Sequence, residues 1–305
     1  MNPDFEPLSI VYHPHYDIPV PKIHSFVGTK FSDLFNNLQK NYSSRLNILT
    51  PSSANLENLK QSHNIDYINK VQHDELTREY LRLINLPWSK RLRKRSFLEA
   101  EGTLLTAKQA LKTGLACHVG GGTHHAHFDH GFGFCVFNDL AYTAINLLNQ
   151  KLVKKVLILD LDVHQGDGTA SIFANADSVF TFSIHCESNF PLKKMVSNLD
   201  VPLKKGTNDK EYLNILQQSL EKLHQVPSDI IFFQAGVDVL ESDGLGHLSL
   251  TRDGLIERNE MVFDFAKKRL SPLVVFMGGG YSKPIEHTVH SFVDLFEQCS
   301  LYPKQ

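Results

Sequence analysis

Six short apolar runs recur along the chain: LSIVYH (8–13), LACHVG (115–120), KVLILDLD (155–162), SVFTFSIH (178–185), DIIFFQAG (229–236) and PLVVFMGG (272–279). They are rich in Val, Ile, Leu and Phe and lack polar alternation, the pattern of strands covered on both faces of a parallel sheet. Helical patterns lie between them at 96–114, 137–150, 208–225 and 251–270, each opening near a Ser, Thr, Asn or Asp suited to capping. This alternation predicts an α/β fold with a mostly parallel sheet flanked by helices. No linker, repeat or low-complexity segment divides the chain, so one domain is expected over 1–305. Residues 14–95 carry weaker strand signals and read as helices and loops packed on the sheet edge. The basic cluster KRLRKR (90–95) reads as a solvated loop before a helix, or else as an electrostatic rim for an acidic or phosphorylated partner.

Composition narrows the function classes. Lys plus Arg is 31 and Asp plus Glu is 33, so overall charge gives no reason to expect nucleic acid or a membrane surface as partner. The N-terminus has no basic segment followed by a long apolar run, and no stretch approaches membrane-spanning length. The four cysteines are scattered without a CxxC pair, which suits reduced thiols and a cytoplasmic location. The sixteen histidines are an unusual load, and several follow the apolar runs.

Open parallel sheets bind ligands outside the carboxyl ends of their strands. There the chain places GGGTHH, DLDVHQGDG, SIHCESNFP, AGVDVLESD and GGGY. In an extended segment Asp160, Asp162 and His164 face one side. Asp162 and His164 suit a divalent cation, and Asp238 from another strand end supplies a third donor, leaving positions open for water and substrate. The adjacent His124 and His125 can act as general acid and base if carboxylates orient their rings, and Asp160 and Asp167 are available for this. Tyr281, after three glycines, can donate to a developing oxyanion opposite the metal.

Five stretches in order, GGGTHHAHFDHGFGFCVFND, LILDLDVHQGDGT, TFSIH, QAGVDVLESD and MGGGY, resemble the metal-dependent histone deacetylase family within the acetoin-utilisation and acetylpolyamine amidohydrolase superfamily. IVYHPHYDIP and ILTPSSANLENLKQSHNIDYI look like its class IV branch and bacterial relatives, so the resemblance covers nearly the whole chain. It implies the single-domain arginase/deacetylase fold with a parallel sheet of about eight strands, two more than the apolar runs supply. It implies Asp162, His164 and Asp238 as ligands of a catalytic zinc, with iron(II) as the alternative. His124 and His125 become the proton-transfer pair, oriented by Asp160 and Asp167, and Tyr281 the carbonyl-polarising phenol. Gly133, Phe134 and Phe190 match the walls of an acyl-lysine channel. A structural potassium site matches Asp160, Ser183 and the backbone carbonyls of Asp162, His164 and Ile184.

The implied activity is metal-dependent hydrolysis of acyl groups, acetyl or longer, from protein lysines. Thr123 stands where many members carry a bulky aromatic, which points to room for longer acyl chains. The acidic rim residue of the peptide deacetylases has no counterpart here. A small-molecule deacylase of the acetylpolyamine type is the alternative, followed by a non-catalytic acyl-lysine binding module. A binuclear, arginase-like site lacks its extra carboxylates, since Leu240 and Gly166 occupy those positions.

Overall fold

In a computed structural model, residues 7–302 are described, so the outermost ends of the expected 1–305 span lie outside them. Eight strands form one sheet: β1 (Leu8–Val11), β2 (Leu46–Leu49), β3 (Leu115–His118), β4 (Val156–Asp160), β5 (Val179–Cys186), β6 (Leu199–Leu203), β7 (Ile230–Gln234) and β8 (Leu273–Phe276). Every pairing is parallel, in the order β2-β1-β3-β8-β7-β4-β5-β6. The expected fold class is therefore observed, including the strand number that the resemblance implied.

The two unforeseen strands are the sheet's edges. β2 (LNIL) lies within 14–95, which thus contains a strand as well as helices and loops. β6 (LDVPL) includes Asp200 and Pro202. An edge strand faces solvent along one side and tolerates polar residues and proline, so neither carries a buried apolar run. The central strands are buried along their whole length, from Val156–Asp160 to Ile230–Gln234 and Leu273–Phe276.

The connecting helices are α1 (Lys30–Tyr42), α2 (Leu56–Leu59), α3 (Ile65–Gln72), α4 (Arg78–Ile84), α5 (Lys90–Thr113), α6 (Asp139–Asn149), α7 (Asp167–Ile172), α8 (Asp209–Leu223), α9 (Arg252–Lys268) and α10 (Glu286–Leu301). The four expected helices correspond to α5, α6, α8 and α9, each with a capping side chain: Ser89, Asn138, Asn208 and Thr251 accept from backbone amides two or three positions into the helix. No helix among the described residues is long and apolar enough to cross a membrane.

The cluster KRLRKR corrects the expectation of a solvated loop. It is the first turns of α5, and its arginines have partners inside this chain. Arg91 donates to the carbonyls of Asp17 and Pro14, and Arg93 pairs with Asp74. Arg95 is buried and forms a two-pronged pair with Glu99 one turn on. Arg91 ties the segment after β1 to the helix, Arg93 ties in the end of α3, and Arg95 is neutralised within α5.

Candidate active site

The carboxyl ends of β3, β4, β7 and β8 converge on one buried cluster. β4 pairs with β7 on one side and β5 on the other, with Asp160 opposite Gln234 and Ser183. Chain leaving β4 presents Asp162 and His164, and chain leaving β7 presents Asp238. These three offer ligand atoms within 4.8 Å of one another and are the one such group among the described residues. His164 Nδ1 lies 3.1 Å from both Asp162 Oδ1 and Asp238 Oδ2. The free carboxylate oxygens bind backbone: Gly279 N donates to Asp162 Oδ2 at 2.7 Å and Val163 N to Asp238 Oδ1 at 2.9 Å. The two ligand loops and the turn after β8 are therefore locked together.

The two buried carboxylates draw positive charge onto this cluster. Asp238 is buried beside Asp162, and burial and like charge push its pKa up to about 7. His164, despite burial, is lifted to about 10 by the two carboxylates. Two buried carboxylates around one imidazole are a donor set suited to a single divalent transition metal, so the residues fit the group implied by the sequence.

The histidine pair reaches the cluster through the glycine turn. Gly121 N donates to Glu99, and Gly122 N and Thr123 N donate to Asp139. Gly122 has φ +81, and a Cβ there would fall 2.1 Å from Gln234 Oε1, so any other residue would be strained and would have to displace the Gln234 amide. His124 Nδ1 lies 2.7 Å from Asp160 Oδ2, and His125 Nδ1 lies 2.6 Å from Asp167 Oδ1. The two His–Asp pairs expected from the sequence are both present in this geometry. Burial and the charge of His124 hold His125 down at about 4. His124 is buried too, but the carboxylates of Asp160 and Asp162 lift it to about 9.

A cavity of about 400 Å³ descends to this point, walled by Phe132, Gly133, Phe134, Phe190 and Tyr281 and reaching His125 and His164. The rings of Phe132 and Phe190 lie 4.7 Å apart, and that of His125 meets Phe190 edge-on at 4.9 Å. Gly133 has φ +51, and a Cβ would come within 2.7 Å of Phe190 and 2.9 Å of His125. Tyr281 N donates to Asp243 Oδ2, fixing the turn that aims the phenol at the cluster, its ring 6.4 Å from that of His164. Burial and the nearby Asp238 and Asp162 raise the Tyr281 hydroxyl well above its ordinary range, so it stays a donor.

Thr123 lies below the histidines and hydrogen-bonds Asp139 at 2.6 Å. It lines a second cavity of only about 40 Å³, closed in by Phe26, Lys30, Phe31 and Arg95. The room expected beside Thr123 is thus largely taken by residues from the N-terminal segment and α5. Ser183 and Asp160, two of the implied potassium donors, are register neighbours, and Ser183 Oγ lies 3.0 Å from His185 Nδ1. Sequence reasoning passed over Phe132, Asp243 and His127, whose Nε2 sits 2.9 Å from Asp167 Oδ2. Phe132 alternates with Phe134 in GFGFC, which was the available signal. Asp243 stood in the quoted AGVDVLESD without a role.

The model of the histone deacetylase domain matches residues 24–295. An uncharacterized protein of Picosynechococcus sp. is 42% identical over 92% of this chain and 94% of its own length. Histone deacetylase 2 of Arabidopsis thaliana is 29% identical over 90% of this chain and 75% of its length. The acetoin utilization protein of Staphylococcus xylosus is 31% identical over 76% of this chain and 66% of its length. Among solved structures, the HD domain of HDA15 superposes with a TM-score of 0.80 at 20% identity, covering 96% of this chain and 88% of that one, a likeness of fold. With the family model spanning most of its length, the chain belongs to the histone deacetylase domain family.

Proposed function

We propose that the chain, acting as one catalytic domain, is a zinc-dependent amide hydrolase that removes acyl groups, acetyl or longer, from lysine side chains of proteins, as a class IV-like enzyme of the cytoplasm. The observation that carries this reading is the convergence of two His–Asp pairs, a three-residue donor set and a phenol at the floor of one aromatic-walled channel. Asp162, His164 and Asp238 would hold the metal, zinc or iron(II), and a potassium ion at Asp160, Ser183 and the neighbouring carbonyls would brace the same loops. When bound, the divalent ion would supply Lewis-acid polarisation of the acyl carbonyl and of the attacking water.

The remaining roles fall to the chain. The aromatic walls exclude water around the uncharged acyl-lysine stem and align it along the channel. His125 lines that channel whereas His124 lies beneath it, so His125 takes the proton of the attacking water at Nε2. Its Nδ1–H remains on Asp167, which fixes the tautomer. Tyr281 donates to the oxygen that gains charge as the tetrahedral centre forms. His125 then gives its proton to the leaving amine nitrogen, and His124 with Asp160 supports the charge beside it.

The test is a side-by-side assay of acyl-lysine peptides of increasing acyl length and of acetylpolyamines, with bound metal quantified. Hydrolysis of the peptides supports this reading. Hydrolysis of polyamines alone supports a small-molecule deacylase, and binding without turnover supports an acyl-lysine reader.

A further inference from the structure

The rim of the channel carries a charge that the catalytic roles do not use. Arg82 lies in the last turn of α4, is exposed, and lines the channel. That turn is fixed to the channel wall, since Gly133 N donates to Leu83 O at 3.1 Å and Phe134 N to Ile84 O at 2.8 Å. Asn85 closes the helix in the left-handed conformation, with φ 54. The Cα of Arg82 is therefore held at a set place beside the entrance. Arg82, unlike Arg93, Arg95 and Arg252, makes no ion pair with a described carboxylate, and no Asp or Glu lines the channel. The same channel is lined by His247, hydrogen-bonded at 3.2 Å to Ser188. Lys194, which does not line the channel, donates to the carbonyls of Glu187, Asn189 and Pro191 and lies in the field of the Glu187 and Asp167 carboxylates. Among the described residues, Arg82 is thus the one Arg, Lys, Asp or Glu side chain that lines the channel, although the chain's net charge is only −2.

We propose that Arg82 determines specificity by favouring acyl-lysines set among acidic residues and disfavouring cationic acyl-amines. This rests on the lysine-deacylase reading and names its substrate class. A peptide whose acyl-lysine fills the channel leaves its neighbouring residues at the rim. A carboxylate there meets the guanidinium, whereas an ammonium meets a like charge. Exposed ion pairs are weak, so each flanking acid is expected to change kcat/KM by about two- to fivefold. The effect should shrink as salt shortens the screening length to about 3 Å at 1 M.

The experiment compares kcat/KM for acetyl-lysine peptides that differ only in flanking Asp, Ala or Lys, at roughly 0.02 M and 1 M ionic strength. It uses the wild-type chain and the Arg82→Gln and Arg82→Glu variants. The expected result is the order Asp over Ala over Lys in wild type at low salt, compressed at high salt, levelled in Arg82→Gln and inverted in Arg82→Glu. An Asp-to-Lys ratio near one in wild type, or one retained in Arg82→Glu, overturns the proposal while leaving lysine deacylation intact. If no acyl-lysine peptide is cleaved but an acetylpolyamine is, the underlying reading fails and this inference with it.

Discussion

His125 and Asp167 are buried together, with Nδ1 and Oδ1 2.6 Å apart. The other oxygen of Asp167 is held by His127, so the carboxylate that orients the channel histidine cannot rotate away from it. Asp167→Asn keeps the shape but lets an amide N–H face His125, which favours the wrong tautomer. Turnover should fall by about 10²–10⁴, with metal content unchanged. His127→Ala removes only the brace and should cost less than about tenfold. Steady-state kinetics on an acetyl-lysine peptide, with metal analysis of each variant, checks both values. Equal losses in the two variants would mean that Asp167 acts only through packing.

Tyr281→Phe deletes one hydroxyl at the channel floor. If the phenol stabilises the oxyanion, kcat should drop by about 10²–10³ while KM moves little. Metal binding should persist, because Tyr281 is outside the group of ligand atoms. A variant within a few-fold of wild type would reduce Tyr281 to a wall residue.

Acyl length should be set by what fills the lower cavity. Its volume of about 40 Å³ accepts little beyond an acetyl methyl unless the neighbouring rings move. Phe26 is buried there, and its ring lies 5.7 Å from Phe134. Phe26→Ala should shift the preference from acetyl toward longer chains, each extra buried methylene contributing up to about 0.8 kcal/mol. In the Phe26→Ala background, adding Thr123→Trp should remove the gained long-chain activity and spare acetyl. An acyl-length profile that neither substitution changes would place the acyl end elsewhere.

His63 and His118 should each cost stability in mild acid. Burial holds His63 down to about 4 and His118 to about 3, both fully enclosed. His63 Nε2 accepts from Asn138 N, and His118 bridges Tyr16 and Thr103. The unfolded chain binds protons on these groups near pH 6.5 and the folded chain does not. Stability is therefore lost as pH drops from about 6.5 toward 4, by about 2 kcal/mol per histidine between pH 7.5 and 5. Urea melts at both pH values, with chelator present throughout, measure this. His63→Gln, which keeps an acceptor, should flatten the slope, and an unchanged slope would contradict the assignment.

The central strands and the site were legible for a common reason. A strand buried on both faces must be continuously apolar, and the residues just beyond it are then free to carry chemistry, which is how Asp162, His164, Asp238 and Tyr281 could be read in one pass. The edge strands β2 and β6 obey no such constraint. Arg95 and Lys30 were illegible for the opposite reason. Charged residues at those positions read as surface, and only the tertiary arrangement supplies Glu99 for one and the Gly280 carbonyl with three aromatic rings for the other. Arg82 lay in a segment that read as loops and helices, and its place at the mouth comes from the packing of α4 on the 131–135 turn. Thr123 was visible, but the residues crowding the space beside it come from distant segments.

Asp162, His164 and Asp238 are expected to hold one metal on which amide hydrolysis depends. The most direct test is metal analysis of the purified chain and of Asp238→Ala, alongside release of the carboxylate and exposure of the lysine ε-amine of an acyl-lysine peptide before chelation, after it, and after zinc is restored. The expected result is one transition metal per wild-type chain, activity lost on chelation and regained with zinc, and a folded Asp238→Ala protein lacking both metal and activity. Two tightly held transition metals per chain, or full activity after exhaustive chelation, would contradict it.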